Sequence, residues 1–384
     1  MTSAGTARLK TLQPDQLTSS ICVVLGTRPG IVKQSPLIRE LSRRELPFFT
    51  LHTGQHYSPE MDAAFFSDLN LSVPKYRLTE PEDCHLHGEQ TAAMLVGTER
   101  VLLDERPRLV LVGGDANTNL AAALAARKLH IAVGHVEAGL RSFDWRMPEE
   151  HNRVMIDHIS DWLFAPGEHA VENLRREGVR GRVEVVGNTV VDAVLKHKGL
   201  AMEKSSVLAD LGFKARQYLL VTLHREENVD DPAQLRLLLD AIIRAGSRHA
   251  MPVVFPAHPR TRLRLREFGL DETRLQPADL RVVDPLGYLD FLCLLASAGL
   301  VLTDSGGVQQ EACIVKTPCV TLRRSTEWTE TLPIGANMLA GDTPASIAEA
   351  VAQMLSVERN WINPFGDGNA AERIVDAVSL PPES

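Results

Sequence analysis

The sequence has five cysteines but no Cys-x-x-Cys pair, no Gly-x-Gly-x-x-Gly and no Gly-x-x-x-x-Gly-Lys-[Ser/Thr]. The first absence argues against structural zinc and dithiol chemistry. The other two speak against a nicotinamide dinucleotide and against a P-loop nucleotide site. Cys22, Cys293 and Cys319 lie in apolar runs, where cysteine acts as a small hydrophobe, so a reduced, cytoplasmic chain is expected. No apolar stretch reaches the roughly 20 residues that span a bilayer, and Met1 to Ser20 lacks the apolar segment of a signal peptide. We therefore expect no membrane partner and read residues 1–20 as a loose tail. Cationic charge is also in short supply. Lys plus Arg total 41 against 49 Asp plus Glu, a net charge of −8, which argues against general nucleic-acid binding. An anionic ligand would have to be met by local cations. The histidines are scattered without metal spacing, with His85 and His87 reading as a solvated loop. No metal and no cofactor are expected.

What is present is an alternation of short apolar runs with longer helical patterns over 384 residues, too many for one compact core. Strands are expected at Ile21–Leu25, Phe48–His52, Leu109–Val112, Ala132–Val136, Arg182–Val186, Tyr218–Thr222, Val253–Pro256, Arg281–Val283, Leu300–Thr303 and Cys319–Leu322. Helices are expected at Ile31–Arg44, Leu120–Lys128, Ala170–Glu177 and Asp231–Arg248. Continuous apolar strands alternating with helices predict an α/β fold with two parallel sheets, each covered on both faces. The seam falls near Gly187-Asn188, giving one domain over 21–186 and a second over 187–365. Ligands of open parallel sheets bind at the carboxyl ends of strands, so the loops there carry the chemistry and the cleft between the domains is the default site.

Those loops are unusual in composition. Leu300-Val-Leu-Thr runs into Asp304-Ser305-Gly306-Gly307, with Glu311 a turn further on. Ser305 can cap the following helix, and two glycines leave its N–H groups open to close approach, a geometry that favours phosphate. Glu311 is placed to accept the hydroxyls of a ribose. The same stretch also fits an ordinary capped helix with a surface glutamate. After the first strand, Gly26-Thr27-Arg28-Pro29-Gly30-Ile31-Val32-Lys33 offers two cations, Arg28 and Lys33, for a diphosphate, or else a solvated basic helix start. Asp115 and Glu137 follow strands, where carboxylates are unexpected without partners, and Glu149 opens a helix after Pro148. Three carboxylates so placed in one domain suggest an acid–base site. His224-Arg225-Glu226-Glu227-Asn228 and His258-Pro259-Arg260 end strands of the second half and offer donors to a diphosphate. Gln55 and His56 lie in the second strand-to-helix loop of the first domain. Phe291 either stacks on a base or packs in the core.

Taken in order, these motifs resemble the non-hydrolysing UDP-N-acetylglucosamine 2-epimerases. The resemblance runs from Gly-Thr-Arg-Pro at 26–29 with Lys33, through Thr-Gly-Gln-His at 53–56, Gly-Asp at 114–115, His-Val-Glu-Ala-Gly-Leu-Arg at 135–141 and Pro-Glu-Glu-x-Asn-Arg at 148–153. It continues with Gly-Asn-Thr-Val at 187–190, His-Arg-x-Glu-Asn at 224–228, Asp-Ser-Gly-Gly at 304–307 and Thr-Glu at 326–327. It implies a GT-B architecture of two Rossmann-like domains, with a C-terminal helix at about 366–379 crossing back to the first. It also implies a homodimer and a UDP-sugar substrate. By position, Asp115, Glu137, Glu149 and His224 are the implied catalytic groups. The implied substrate contacts are Arg28, Lys33, Gln55, His56, Arg141, Arg153, Arg225, Asn228, His258, Phe291, Ser305, Gly306, Gly307, Glu311 and Arg323. The implied reaction eliminates UDP across C1 and C2 of the sugar and adds it back on an inverted centre. The sequence departs from the family pattern at Gly30, Ala116 and Arg324, and in Gln55-His56-Tyr57-Ser58-Pro59-Glu60-Met61, which in family members helps form an activating UDP-sugar site. Around Thr326 it looks like a branch that includes epimerases of diacetamido-uronic acid sugars. A glycosyltransferase of the same architecture, a relative that hydrolyses the substrate, and a catalytically idle UDP-sugar sensor are the competing readings.

Overall fold

The computed structural model describes residues 10–55, 66–84, 86–270 and 280–379. It divides into two compact units. One comprises the chain up to Asp192 together with the segment from Gly366; the other runs from Ala193 to Phe365.

The first unit is built on strands β1 (Ile21–Leu25), β2 (Phe48–His52), β3 (Tyr76–Arg77), β4 (Leu109–Gly113), β5 (Ala132–Val136), β6 (Trp162–Ala165) and β7 (Arg182–Val185). They form a parallel sheet in the order β3-β2-β1-β4-β5-β6-β7. β1 and β4 are buried along their whole length, as strands covered by helices on both faces must be. The second unit carries β8 (Leu219–Thr222), β9 (Val253–Pro256), β10 (Leu280–Val283), β11 (Leu300–Thr303), β12 (Cys319–Thr321) and β13 (Asn337–Leu339), also parallel, in the order β10-β9-β8-β11-β12-β13. The α/β class expected from the sequence is the one observed.

Both sheets reverse direction once. The chain builds outward from β1 to β3, returns to β4 and builds the other way; it repeats this from β8 to β10 and back to β11. At each reversal the helices leave on opposite faces and the two carboxyl ends splay apart, which opens a crevice for a ligand. The loops at these points are those that follow β1 and β4, and β8 and β11.

Three strands were not legible as such. β6 begins three residues after the helix Pro148–Ile159, so its apolar residues merge with the helical pattern. β3 and β13 are two and three residues long. The reading of residues 1–20 as a loose tail is corrected for its described part. Leu12 is buried in the core of the first unit, and Leu17 packs partly against it. Backbone N–H groups of Leu12 and Thr18 donate to Leu129 O (3.2 Å) and Arg106 O (2.7 Å). Two leucines in a polar stretch are enough to dock it.

The C-terminal helix Ala370–Ser379 buries Ile374, Val375 and Val378 and packs on the helix Arg28–Arg43. Asp192 accepts from the N–H of Ala371 at 2.9 Å, Arg108 donates to Val378 O at 2.8 Å, and Arg44 pairs with Asp376. This helix therefore braces the element that carries Lys33. Ile374→Ala should destabilise the first unit by about 2–5 kcal/mol through the cavity it leaves, measured as a shift of the urea unfolding midpoint.

Candidate active site

In the first unit the crevice loops bring two carboxylates under two cations. Thr27 caps the helix Arg28–Arg43, its Oγ1 accepting from the N–H of Gly30 at 3.2 Å, and this fixes where the next turn points Lys33. Lys33 Nζ donates to Glu137 Oε2 at 2.6 Å, and Asn188 Nδ2 donates to Glu137 Oε1 at 2.8 Å. Glu137 is 5% exposed and sits at φ +70°, a left-handed conformation that a residue with a Cβ seldom adopts. Gly114, at φ +83°, leaves the room that Lys33 and Glu137 occupy. Burial opposes the charge of Lys33, but Glu137 and Asp115 hold its pKa above the ordinary value.

Asp115 is gripped by Arg153, whose Nε and Nη2 both donate to Oδ2, at 3.0 and 2.6 Å. Burial alone would raise the Asp115 pKa; Arg153 and Lys33 bring it below the usual carboxylate range. Arg153 Nη1 donates to Glu150 Oε2 at 2.7 Å. Glu150 also accepts from the N–H and hydroxyl of Ser142 and the N–H of Phe143, at 2.8–2.9 Å. Of the adjacent pair Glu149-Glu150, the first is exposed and the second is 2% exposed. Glu150, Arg153, Ile156 and Asp157 share the inward face of their helix. Asp157 is fully buried, with His135 Nδ1 at 2.6 Å and Arg141 Nη2 at 2.7 Å, and both hold its pKa down against burial. Arg141 is further engaged by Glu177 through two bonds of 2.7 Å. It thus braces the loop that presents Glu137. Gln55 accepts from the N–H and hydroxyl of Thr118, at 2.9 and 2.8 Å, and so closes the start of the helix Asn117–Lys128. Arg28 is partly buried at the start of its helix, and His56 lies outside the described residues.

In the second unit the centre is Asp304, 0% exposed. Its carboxylate accepts from the N–H groups of His224 and Arg225 at 3.1–3.2 Å and from Asn228 Nδ2 at 3.0 Å, with His224 Nδ1 3.1 Å away. Burial raises its pKa, and His224 and Asn228 lower it to a net value below the ordinary one. Asp304 thereby fixes the loop after β8 to the end of β11. Ser305 caps the helix Gly306–Val315, its Oγ accepting from Val308 N–H at 3.5 Å. A side chain on Gly306 would overlap the Glu327 carboxylate, whereas a Cβ on Gly307 would meet only Ser305 Oγ, at an ordinary contact distance of 3.9 Å. Arg323 donates to Glu327 at 2.8 Å, and Arg225 approaches the same carboxylate to 3.8 Å. Burial opposes the charge of Glu327, and Arg323 and Arg225 hold its pKa low. Two guanidinium groups thus stand by a helix N-terminus, an arrangement suited to a diphosphate. Glu311 is half-buried on the same helix, His258 is exposed at the start of the helix Pro259–Glu267, and Phe291 is half-buried on the helix Tyr288–Ser297.

Sequence reasoning singled out Asp115, Glu137, His224 and the Ser305–Gly307 turn. It quoted Glu150, Asn188, Asp304 and Glu327 within motifs without giving them a role, and passed over Asp157. Helix phase was the available signal for two of these, since Glu150 and Asp157 align with Ile156. Among the described residues, no group of three or more His, Cys, Asp and Glu side chains is placed to hold a metal ion, and no helix is long and apolar enough to cross a membrane.

The family model for UDP-N-acetylglucosamine 2-epimerase matches residues 39–379. A UDP-N-acetylglucosamine 2-epimerase of Methanocaldococcus jannaschii is 49% identical over 358 residues, covering 92% of this chain and 97% of the relative. The crystal structure of the M. jannaschii enzyme in complex with UDP-GlcNAc and UDP has a TM-score of 0.86 and covers 94% of this chain and 99% of that one. A UDP-2,3-diacetamido-2,3-dideoxy-D-glucuronate 2-epimerase of Pseudomonas aeruginosa is 40% identical over 366 residues, covering 94% of this chain and 99% of the relative. The calicheamicin glycosyltransferase CalG4, at 16% identity and a TM-score of 0.53 over 94% of this chain and 98% of that one, shares the GT-B-like fold alone.

The paired carboxylates tie stability to pH. Asp115, Glu150, Asp157, Asp304 and Glu327 all have depressed pKa values in the folded protein. Their contribution is complete above the unfolded-state values near 4 and is lost as pH falls through the folded ones. The urea midpoint should therefore be flat near neutrality and fall steadily below about pH 4, followed by circular dichroism.

Proposed function

The chain belongs to the UDP-N-acetylglucosamine 2-epimerase family, and from that premise we propose that it interconverts UDP-N-acetylglucosamine and UDP-N-acetylmannosamine. The C2 proton of the sugar has no adjacent carbonyl and is not acidic in the ground state. Breaking the C1–O bond to UDP first builds positive charge at C1, which acidifies the C2 hydrogen. The C–H electron pair then closes the C1=C2 bond, the C1–O pair leaves with UDP, and a carboxylate takes the proton. Delivery of a proton to the opposite face of C2 and return of UDP to C1 complete the epimerisation.

In this reading Asp115, Glu137 and Glu149 serve the proton transfers. His224, Arg225, Arg323 and the Ser305-Gly306-Gly307 turn carry the diphosphate, whose developing charge they stabilise, and Glu311 takes the ribose. The observation that carries it is the pairing of Glu137 with Lys33 at 2.6 Å and of Asp115 with Arg153 at 2.6 Å, two carboxylates with cation partners at one crevice. Against burial, Arg153 and Lys33 hold the Asp115 pKa below the usual carboxylate range, which keeps it able to accept a proton. A UDP-diacetamido-uronic acid sugar is the second reading, supported by the 40% identity to the Pseudomonas relative. A homodimer and a cytoplasmic location belong to the same proposal; the five free cysteines agree with a reducing compartment.

Incubation with UDP-N-acetylglucosamine in D₂O, followed by NMR, should give deuterium at C2 and UDP-N-acetylmannosamine. No exchange at C2 would refute the reading, free N-acetylmannosamine would indicate hydrolysis, and faster turnover of the diacetamido-uronic sugar would favour the second substrate. Glu137→Gln should abolish turnover while UDP affinity, read by calorimetry, stays within about three-fold, because the nucleotide contacts lie on other residues.

A further inference from the structure

Arg153 directs each of its three guanidinium nitrogens at a neighbouring carboxylate. Nε and Nη2 converge on Asp115 Oδ2, and Nη1 goes to Glu150. Its side chain is 10% exposed, which leaves little surface to offer a substrate. The two-to-one grip has a further consequence. Asp115 Oδ2 is saturated, while Oδ1 takes no side-chain donor from the described residues. The carboxyl group is thus held in one orientation, with Oδ1 the oxygen that no side chain of the described residues engages. Glu150 is anchored in turn by Ser142 and Phe143 and holds Arg153 from behind. Asn152, the preceding residue, donates to Asp115 O at 2.8 Å, so the same helix fixes both the backbone and the side chain of Asp115.

We infer that Arg153, backed by Glu150, is a positioning residue that aims Asp115 Oδ1 at the sugar and keeps Asp115 in its proton-accepting form. This rests on the reading that Asp115 takes part in proton transfer at C2. In that step the proton passes from C2 to Oδ1, the C–H pair closes the C1=C2 bond, and the C1–O pair departs with UDP. Arg153 takes no proton and touches no reacting atom.

The charged groups around Asp115 give the proposal a sign. Arg153 faces it from the helix Pro148–Ile159 and Lys33 from the helix Arg28–Arg43; Glu150 lies behind Arg153, and Glu137 lies behind Lys33. Removing Arg153 leaves a half-buried carboxylate with less positive charge, so its affinity for a proton rises. Removing the charge of Glu150 frees Arg153 for Asp115 and removes a nearby negative charge, so the affinity falls. A role limited to holding the fold together would not displace the same titration in opposite directions.

The test titrates Asp115 in full-length protein labelled with ¹³C at aspartate carboxyl carbons, its signal assigned by loss in Asp115→Asn. The pH profile of C2 exchange is measured alongside. Arg153→Met should move the Asp115 titration and the acid limb of the profile up by one pH unit or more, on the order of a ten-fold change in proton affinity. Its exchange rate at neutral pH should fall about 100-fold, because the carboxyl group is no longer held in one orientation. UDP affinity should stay within about three-fold of wild type, and Arg153→Lys should be intermediate. Glu150→Gln should move both titrations down. The inference is overturned if the two variants leave the Asp115 titration unmoved or shift it the same way, or if Arg153→Met weakens UDP binding in step with the loss of rate. Should Arg153→Met fail to fold, the downward shift in Glu150→Gln still decides. Should wild-type protein show no exchange at C2, the functional reading fails while the carboxyl titration still judges the role of Arg153.

Discussion

A carboxylate withdrawn from water at the end of a parallel strand has to be supplied with cations and N–H donors, or it takes up a proton. Both sheets of this protein are organised around that requirement. In the first, Lys33 and Asn188 supply Glu137, Arg153 supplies Asp115, and His135 and Arg141 supply Asp157. In the second, backbone N–H groups and Asn228 supply Asp304, and Arg323 supplies Glu327. Strip the cations from these positions and the loops that carry the chemistry lose what orients them. The depressed pKa values are the thermodynamic trace of the same interactions.

The topology explains why the charges gather where they do. Each sheet reverses its winding once, and each reversal leaves a crevice flanked by two loops. In the first unit they lead into the helix that carries Lys33 and hold Asp115, with Glu137 arriving from the next strand. In the second they hold His224 and the Ser305–Gly307 turn, bridged by the fully buried Asp304. The same architectural accident is put to two uses, one rich in acid–base groups and one rich in donors to an anion. An epimerase that works by elimination needs both, because the leaving nucleotide must be stabilised while a carbon-bound hydrogen is removed.

The architecture was largely legible in the sequence, because buried parallel strands are continuous apolar runs and their boundaries fall at polar or glycine residues. Ile21–Leu25, Phe48–His52 and Leu300–Thr303 came out residue for residue. Trp162–Ala165 did not, since only two residues separate it from a helix whose own inward face is apolar. The site was half legible. Asp115, Glu137 and the Asp304–Gly307 turn stand out because polar residues end apolar strands. The roles of Arg141, Arg153 and Gln55 do not follow from a linear motif. They are quoted in it beside the carboxylates, yet Arg141 meets Glu177 and Asp157, Arg153 meets Glu150 and Asp115, and Gln55 meets Thr118. Whether a cation faces a ligand or a neighbouring acid is decided by packing across elements, which spacing along the chain does not encode. The choice between Glu149 and Glu150 is of the same kind. Only the phase set by Ile156 separates the exposed one from the buried one.

The central claim is that the C1–O bond to UDP breaks and re-forms while carboxylates of the first unit move the C2 proton. Positional isotope exchange tests it most directly, with substrate carrying ¹⁸O in the bridge between C1 and the β-phosphate. The account predicts that the label scrambles into the non-bridging β-phosphate oxygens at a rate no slower than epimerisation, because the freed phosphate rotates before UDP returns. Epimerisation with the label fixed in the bridge would contradict it.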